Sequence, residues 1–298
     1  MELPLNPRLT TFNVFSVTRL EVPAFVSRLP NDPAPSAGRR PPLRTLKLNL
    51  GSKRDLDAPL VSCLMPTRNR FHQAQIAVRV YRRQTWPNKE LIIVVDGGGD
   101  EPFVEWAASL NDPSIRVIRV DENITLGELR NRSVVEAAGQ YICQWDDDDM
   151  SHPARIEVQI KALKATRSKA CLLARELLWF PRQARLAVTE FRAQEGTLLC
   201  EKAIMPPYPP LRRGEDTPAV AAILNAHPFV ALDLPELYVR VAHGANTWDD
   251  AHMERFWRRA TQRFEGDAYH RAVSQLAGAC PLREYREGMI EQQRPHAA

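Results

Sequence analysis

From Leu60 onward the chain alternates short, wholly apolar runs with segments of helical spacing, and few folds accommodate such an alternation. Leu60 to Met65 (LVSCLM) is a continuous apolar run of strand length that stops at Pro66. Leu91 to Val95 (LIIVV) and Tyr141 to Trp145 are two more, and Ile115 to Val120 is a further strand. Between them, Gln73 to Gln84, Pro102 to Leu110 and Thr125 to Ala138 have helical spacing; Thr125 and Glu128 form a capping-box pattern at the start of the last, and Gly139 stands at its end. Strands this apolar have no wet face. Joined by short connections through helices, they predict an α/β fold with a mostly parallel central sheet and helices on both faces.

Composition narrows the class. With 298 residues, 44% hydrophobic and 26% charged, the chain is ordinary for a globular protein and long enough for one large domain or two small ones. The net charge of +4 is modest and the arginines are spread along the chain, so nucleic acid is not the expected partner. Cys63, Cys143, Cys171, Cys200 and Cys280 are odd in number and form no CxxC pair, which argues against a disulfide framework or a zinc ribbon and for a reducing compartment. Met1 to Arg8 lack an apolar core, and no stretch approaches the roughly 18 apolar residues of a spanning helix. The expected location is the cytoplasm.

Three regions differ in character. Residues 1–57, with Pro30, Pro33, Pro35, Pro41 and Pro42, read as a proline-rich extension. Residues 58–248 carry the strand and helix alternation, with a first half to about 152 and a second half from 153. Residues 249–298 read as a helical tail in which Phe256, Trp257 and Phe264 lie among Arg255, Arg258, Arg259 and Arg263. That pattern fits either a helix packing its aromatic stripe on the core or a basic surface resting on the inner face of an anionic membrane.

In open α/β sheets, ligands gather beyond the carboxyl ends of the strands. Pro66 to Arg70, Asp96 to Asp100 and the run Asp146, Asp147, Asp148, Asp149 each follow a strand, so the three loops are expected to converge. Four adjacent carboxylates repel one another and need a cation or strong hydrogen bonds to stay ionised. A hard, oxygen-seeking ion such as Mg2+ or Mn2+ suits them, and a solvated acidic loop is the alternative. Asp96 followed by Gly97, Gly98 and Gly99 is not a dinucleotide fingerprint, because the GxGxxG spacing fails.

Residues from about Leu60 to Trp248 resemble an inverting family 2 glycosyltransferase of the GT-A fold. The resemblance rests on PLVSCLMPTRNR (59–70), QTWPNKELIIVVDGGGD (84–100), LGELRNRSVVEAAGQYICQWDDDD (126–149), RGEDT (213–217) and YVRVAHGANTW (238–248), in that order and placed after strands. The resemblance implies a nucleotide-binding half followed by an acceptor half. It implies transfer of a sugar from a nucleotide donor, a UDP-sugar being the first expectation, to a hydroxyl acceptor such as a glycan or a lipid-linked one, with Mg2+ or Mn2+ as cofactor. By the same resemblance, Pro66, Thr67, Arg68, Asn69 and Asp96 line the nucleotide pocket, and Gly127, Arg130 and Asn131 lie across the donor. Asp146 and Asp148 correspond to the DxD motif, with Asp148 the direct metal ligand and Asp146 or Asp147 toward the ribose. His243 matches a histidine that completes the metal site in some relatives, an ordinary packed histidine being the other reading. Asp216, beside Glu215, is the implied general base; followed by Thr217 and Pro218 it is equally a good helix N-terminus. A non-catalytic nucleotide- or carbohydrate-binding protein on the same scaffold is the alternative function.

Overall fold

A computed structural model of the chain describes residues 17–21, 43–47, 58–96, 101–120 and 123–291. The bulk of the proline-rich extension and the loop 97–100, with its three glycines, lie outside the described residues. In chain order the strands are β1 (Val17–Glu21), β2 (Leu43–Lys47), β3 (Val61–Thr67), β4 (Lys89–Asp96), β5 (Ile115–Val120), β6 (Tyr141–Gln144) and β7 (Met150–Ser151). They continue as β8 (Ala170–Leu173), β9 (Leu177–Phe180), β10 (Arg185–Val188), β11 (Gln194–Glu201), β12 (Phe229–Leu232), β13 (Tyr238–Val241) and β14 (Gln262–Phe264). The helices are α1 (Phe71–Arg82), α2 (Glu101–Ser109), α3 (Leu126–Glu136), α4 (Arg155–Thr166), α5 (Asp216–Ala226), α6 (Asp250–Arg259), α7 (Gly266–Leu276) and α8 (Leu282–Glu291).

Nine strands form the central sheet in the order β2-β1-β12-β8-β11-β6-β3-β4-β5. It is parallel throughout except for β11, which runs antiparallel to both β6 and β8. A second sheet, β14-β10-β9-β13-β7, is built from strands of the later part of the chain. Two short strands of the extension, β1 and β2, add to the central sheet beside β12, so this region supplies more than a linker.

The expected mostly parallel sheet between helices is present, and its residues explain it. Cys63 and Met65 of β3 point into a cluster with Ile76 and Val80 of α1 and Ile160 of α4. Leu64 points the other way, into a cluster with Leu129 of α3 and Ile223 of α5. Side chains alternate faces along a strand, so a run that is apolar at every position is buried twice.

Two expected boundaries move. β3 does not stop at Pro66 but runs to Thr67, because its ladder with β6 ends at Leu64 opposite Gln144 while that with β4 continues through Pro66 opposite Val94. The missing proline N–H thus costs no bond on the side that has already ended. α3 starts at the expected capping box, with Thr125 and Glu128 each accepting the other's backbone N–H, yet it ends at Glu136 in an extended Ala137. Gly139 is instead required by close approach: a Cβ there would lie 2.6 Å from Ser62 Oγ and 2.8 Å from Leu60 O.

The tail packs. Met253, Phe256 and Trp257 of α6 close on Leu178 and Phe180, and Tyr269, Leu276, Tyr285 and Met289 of α7 and α8 join the core shared by β3 and α1. The arginines of α6 at 255, 258 and 259 point outward. All five cysteines are buried and free. Among the described residues no helix is long and apolar enough to cross a membrane.

Candidate active site

A cleft of about 390 Å3 opens beyond the carboxyl ends of β3 and β6. One wall is the β3–α1 turn with Pro66, Thr67, Arg68 and Arg70, the floor is the acidic run, and the far wall carries Gly196, Glu215, Asp216, Arg240 and Trp248. The β3–α1 turn is tight because Asn69 adopts a left-handed conformation, φ 53°, which asparagine tolerates better than most residues. Two of the three expected loops therefore meet. The third is described only at Asp96, which is buried at the end of β4 and ion-paired with the half-exposed Arg68 guanidinium.

Each carboxylate of the acidic run has its own partners. Asp146 Oδ1 accepts from Arg130 Nη2 at 2.9 Å. Asp147 accepts from Thr67 Oγ1 at 2.7 Å and from Arg70 Nη1 at 2.8 Å. Asp148 Oδ2 takes Arg70 Nη1 at 2.8 Å, lies 3.0 Å from His243 Nε2, and is reached by Asn246 Nδ2 at 3.5 Å. Asp149 turns away, accepting from Val241 N at 2.9 Å and from the Tyr238 hydroxyl at 2.7 Å. The repulsion foreseen from the sequence is met by arginines and hydrogen bonds on separate sides. Burial pushes Asp147 up to about 6 and Asp149 well above the carboxylate range. Burial acts on Asp148 too, but Arg70 and His243 outweigh it and hold that carboxyl well below the usual range.

On the far wall, Arg130 is buried and joins two halves of the site: Nε donates to Glu215 Oε1 at 2.7 Å while Nη2 holds Asp146. Glu215 is thereby engaged, and Asp216 is left facing the cleft. Glu215, not Asp216, is the residue preceding the first turn of α5, and it makes no side-chain cap. No hydrogen bond among the described residues engages the Asp216 carboxylate. Burial, then the charges of Glu195 and Glu215, raise its pKa to about 7.

Gly127 and Asn131 do not line the cleft. Gly127 N donates to Leu211 O at 3.0 Å, and its bare Cα lies against the Pro209 carbonyl. Asn131 brackets the Tyr208 backbone, donating to its carbonyl and accepting from its N–H, both at 2.8 Å. The two residues clamp the loop 205–210 (MPPYPP) and the residue after it onto α3. Tyr208 and Trp179 are buried packing groups; the Trp179 indole donates to the Tyr269 hydroxyl at 3.1 Å.

Sequence reasoning assigned no role to Arg70, Glu195, Arg240, Asn246 or Tyr285. Arg70 ends the TRNR segment and Asn246 lies three residues after His243, so both were within reach. Tyr285 carried no signal, since nothing in a tail helix marks the one hydroxyl that reaches Asp148.

The donor chemistry can be tested for a divalent ion. Asp148 Oδ2 and His243 Nε2, 3.0 Å apart, have the spacing of adjacent ligands around an octahedral ion with bonds of about 2.1 Å. Among the described residues no three His, Cys, Asp or Glu side chains form a cage. An open set of one carboxylate and one imidazole nevertheless fits an ion that takes its remaining ligands from substrate phosphate and water.

Residues 62–177 match the family model of glycosyl transferase family 2. WcaA of Escherichia coli K12, provisionally named a colanic acid biosynthesis glycosyl transferase, is 40% identical over 101 residues, 34% of this chain and 36% of that protein. An uncharacterized glycosyltransferase of Methanocaldococcus jannaschii is 30% identical over 116 residues, 38% of this chain and 40% of its own. The chain thus spans little more than a third of the length of these relatives. Among solved structures, the mannosyltransferase PcManGT from Pyrobaculum calidifontis in complex with GDP-Man and Mn2+ superposes with a TM-score of 0.51 at 15% identity, over 80% of this chain and 76% of that one. S. aureus TarS 1-349 in complex with UDP-GlcNAc gives 0.51 at 16%, over 65% and 60%. At such identities the likeness is one of fold. Residues 62–177 therefore carry a match to glycosyl transferase family 2, set within an α/β structure of GT-A type.

Proposed function

We propose that the chain is an inverting, metal-dependent glycosyltransferase that moves a sugar from a nucleoside diphosphate sugar to a hydroxyl acceptor, with Asp216 as general base. The observation that carries this reading is the placement of Asp216. It has no hydrogen-bond partner among the described residues, a pKa near 7, and a position on the cleft wall facing the acidic run. A base works best when its pKa lies near the working pH. In the reaction the acceptor oxygen bonds to the anomeric carbon, its proton passes to Asp216, and the bond to the diphosphate oxygen breaks with the electron pair leaving on the phosphate. A divalent ion held by Asp148 and His243 would stabilise the charge on that leaving group. Asp96 offers a buried acceptor for a base N–H such as that of uracil, with Arg68 across it, so UDP-sugars are the first donors to test.

The acceptor wall is shared by Gly196, Arg240 and Trp248. At position 196 a Cβ would stand 3.1 Å from Asp146 Oδ2; its absence leaves space beside that carboxylate.

The experiment is a thermal-shift titration with nucleoside diphosphates and nucleotide sugars, with and without Mn2+. Stabilisation that needs both, and that disappears in Asp148→Ala, is expected. Asp216→Asn should keep that stabilisation and lose transfer by at least about a hundredfold. Absence of stabilisation by every donor in a folded sample would leave a non-catalytic scaffold as the better reading.

A further inference from the structure

Arg70 holds the place between the acidic run and the segment after β13. It is the residue preceding α1, makes no cap with its side chain, and sends its guanidinium across the cleft floor. Nη1 donates to both Asp147 Oδ1 and Asp148 Oδ2 at 2.8 Å, and Nη2 donates to Ala245 O at 3.1 Å. A guanidinium has five N–H donors. These three bonds leave spare donors on a side chain that is 22% exposed and lines the cleft. The same Asp148 oxygen is the one that stands against His243. Guanidinium and divalent ion therefore compete for one carboxylate atom.

We propose that Arg70 binds the diphosphate of the donor, and that by passing from the Asp147–Asp148 pair to the phosphates it makes the divalent ion and the nucleoside diphosphate bind as a coupled pair. The proposal rests on the donor-site reading above. With Arg70 on two carboxylates, the three groups are net negative when both are ionised, and they repel a diphosphate. A divalent ion arriving alone must displace the guanidinium, which then has no anion to go to. When both arrive, Arg70 exchanges one anionic partner for another, a pair of whose oxygens its fork can grip bidentately. Each ligand removes the obstacle to the other, and such coupling is reciprocal.

The test measures Mn2+ dissociation constants by the electron paramagnetic resonance of free Mn2+, with and without saturating UDP or GDP, in the wild type and in Arg70→Met. In the wild type, nucleotide should tighten Mn2+ binding by at least about tenfold, within the usual range of coupling. Arg70→Met should bind Mn2+ more tightly than the wild type when nucleotide is absent, and nucleotide should then tighten its binding by at least about threefold less than in the wild type, the remainder coming from the ion's own bond to phosphate. Circular dichroism establishes that the variant is folded; if it is not, Arg70→Lys, which keeps the charge without the fork, should show coupling reduced from the wild-type value. Wild-type coupling in either folded variant overturns the role of Arg70, as does unchanged metal affinity of Arg70→Met without nucleotide. Failure of the wild type itself to bind any nucleoside diphosphate overturns the donor-site reading, and this inference with it.

Discussion

The Tyr285 hydroxyl donates to the backbone carbonyl of Asp148 at 2.8 Å, across 137 residues of sequence. Its ring stands edge-on to Trp179 at 6.0 Å between centroids, so α8 braces the acidic run from behind. Removing the hydroxyl alone tests the brace. Tyr285→Phe should weaken Mn2+-dependent UDP binding about fivefold, the effect of one hydrogen bond of ~1 kcal/mol. Tyr269→Phe, which removes the hydroxyl bonded to the Trp179 indole and has no hydrogen bond to the acidic run, should lower the melting temperature without changing that affinity. Equal affinity losses in both variants would mean that the bond to Asp148 has no special part.

The pH dependence follows from Asp216. Its pKa near 7, raised by burial and then by Glu195 and Glu215, predicts that kcat/KM climbs with pH through about 7 and levels above it. Replacing Glu195 with Gln takes away one of the raising charges and should move that limb to lower pH. The stability sign runs the opposite way. An unfolded aspartate titrates near about 3.9, so the folded chain holds its proton longer, and the resulting stabilisation is complete below that pH and lost as pH rises to about 7. Asp216→Asn should therefore gain melting temperature relative to the wild type between roughly pH 4 and 7, as read by calorimetry across that window.

Arg130 is buried between Asp146 and Glu215. Arg130→Met leaves Glu215 buried without its cation and should cost about 3–5 kcal/mol in urea unfolding. Arg130→Met combined with Glu215→Leu should cost less than the two single changes summed, because the double change leaves no uncompensated charge at that contact. Strict additivity would show that the pair is not coupled.

Gly139→Ala places a methyl group against Ser62 Oγ and the Leu60 carbonyl, at 2.6 and 2.8 Å. Overpacking of this kind costs about 1–3 kcal/mol. The melting temperature should fall by several degrees, with nucleotide affinity unchanged, since Gly139 lies at the opposite end of β3 from the cleft.

The central sheet was legible because strands such as β3 and β4 carry long apolar runs and α3 begins with a recognisable cap in Thr125 and Glu128. What the sequence hid was partnership over distance. The carboxylates at 146–149 read as one cluster of like charge, whereas the fold separates them among Arg130, Arg70, His243 and Tyr238, drawn from three different segments. Gly127 and Asn131 sit in the stretch expected to cross the donor, yet their bonds go to the 208–211 loop, a use no local pattern distinguishes. Gly139 looked like a helix terminator because glycine after a helix commonly is one; only the nearness of Ser62 shows the other reason. The two short strands near the start escaped notice because proline density dominates that region.

The acidic run lies within the five residues between the end of β6 and the start of β7, so the chain leaves the central sheet on one side of it and enters the second sheet on the other. The carboxylates thus belong to a joint rather than to either layer. β13 pairs with β7 through Tyr238 opposite Ser151, and it carries the Tyr238 and Val241 groups that fix Asp149. A change in how the second sheet is seated therefore re-aims the carboxylates of the cleft floor without touching them, and variation on the far wall is bounded by what the joint can absorb.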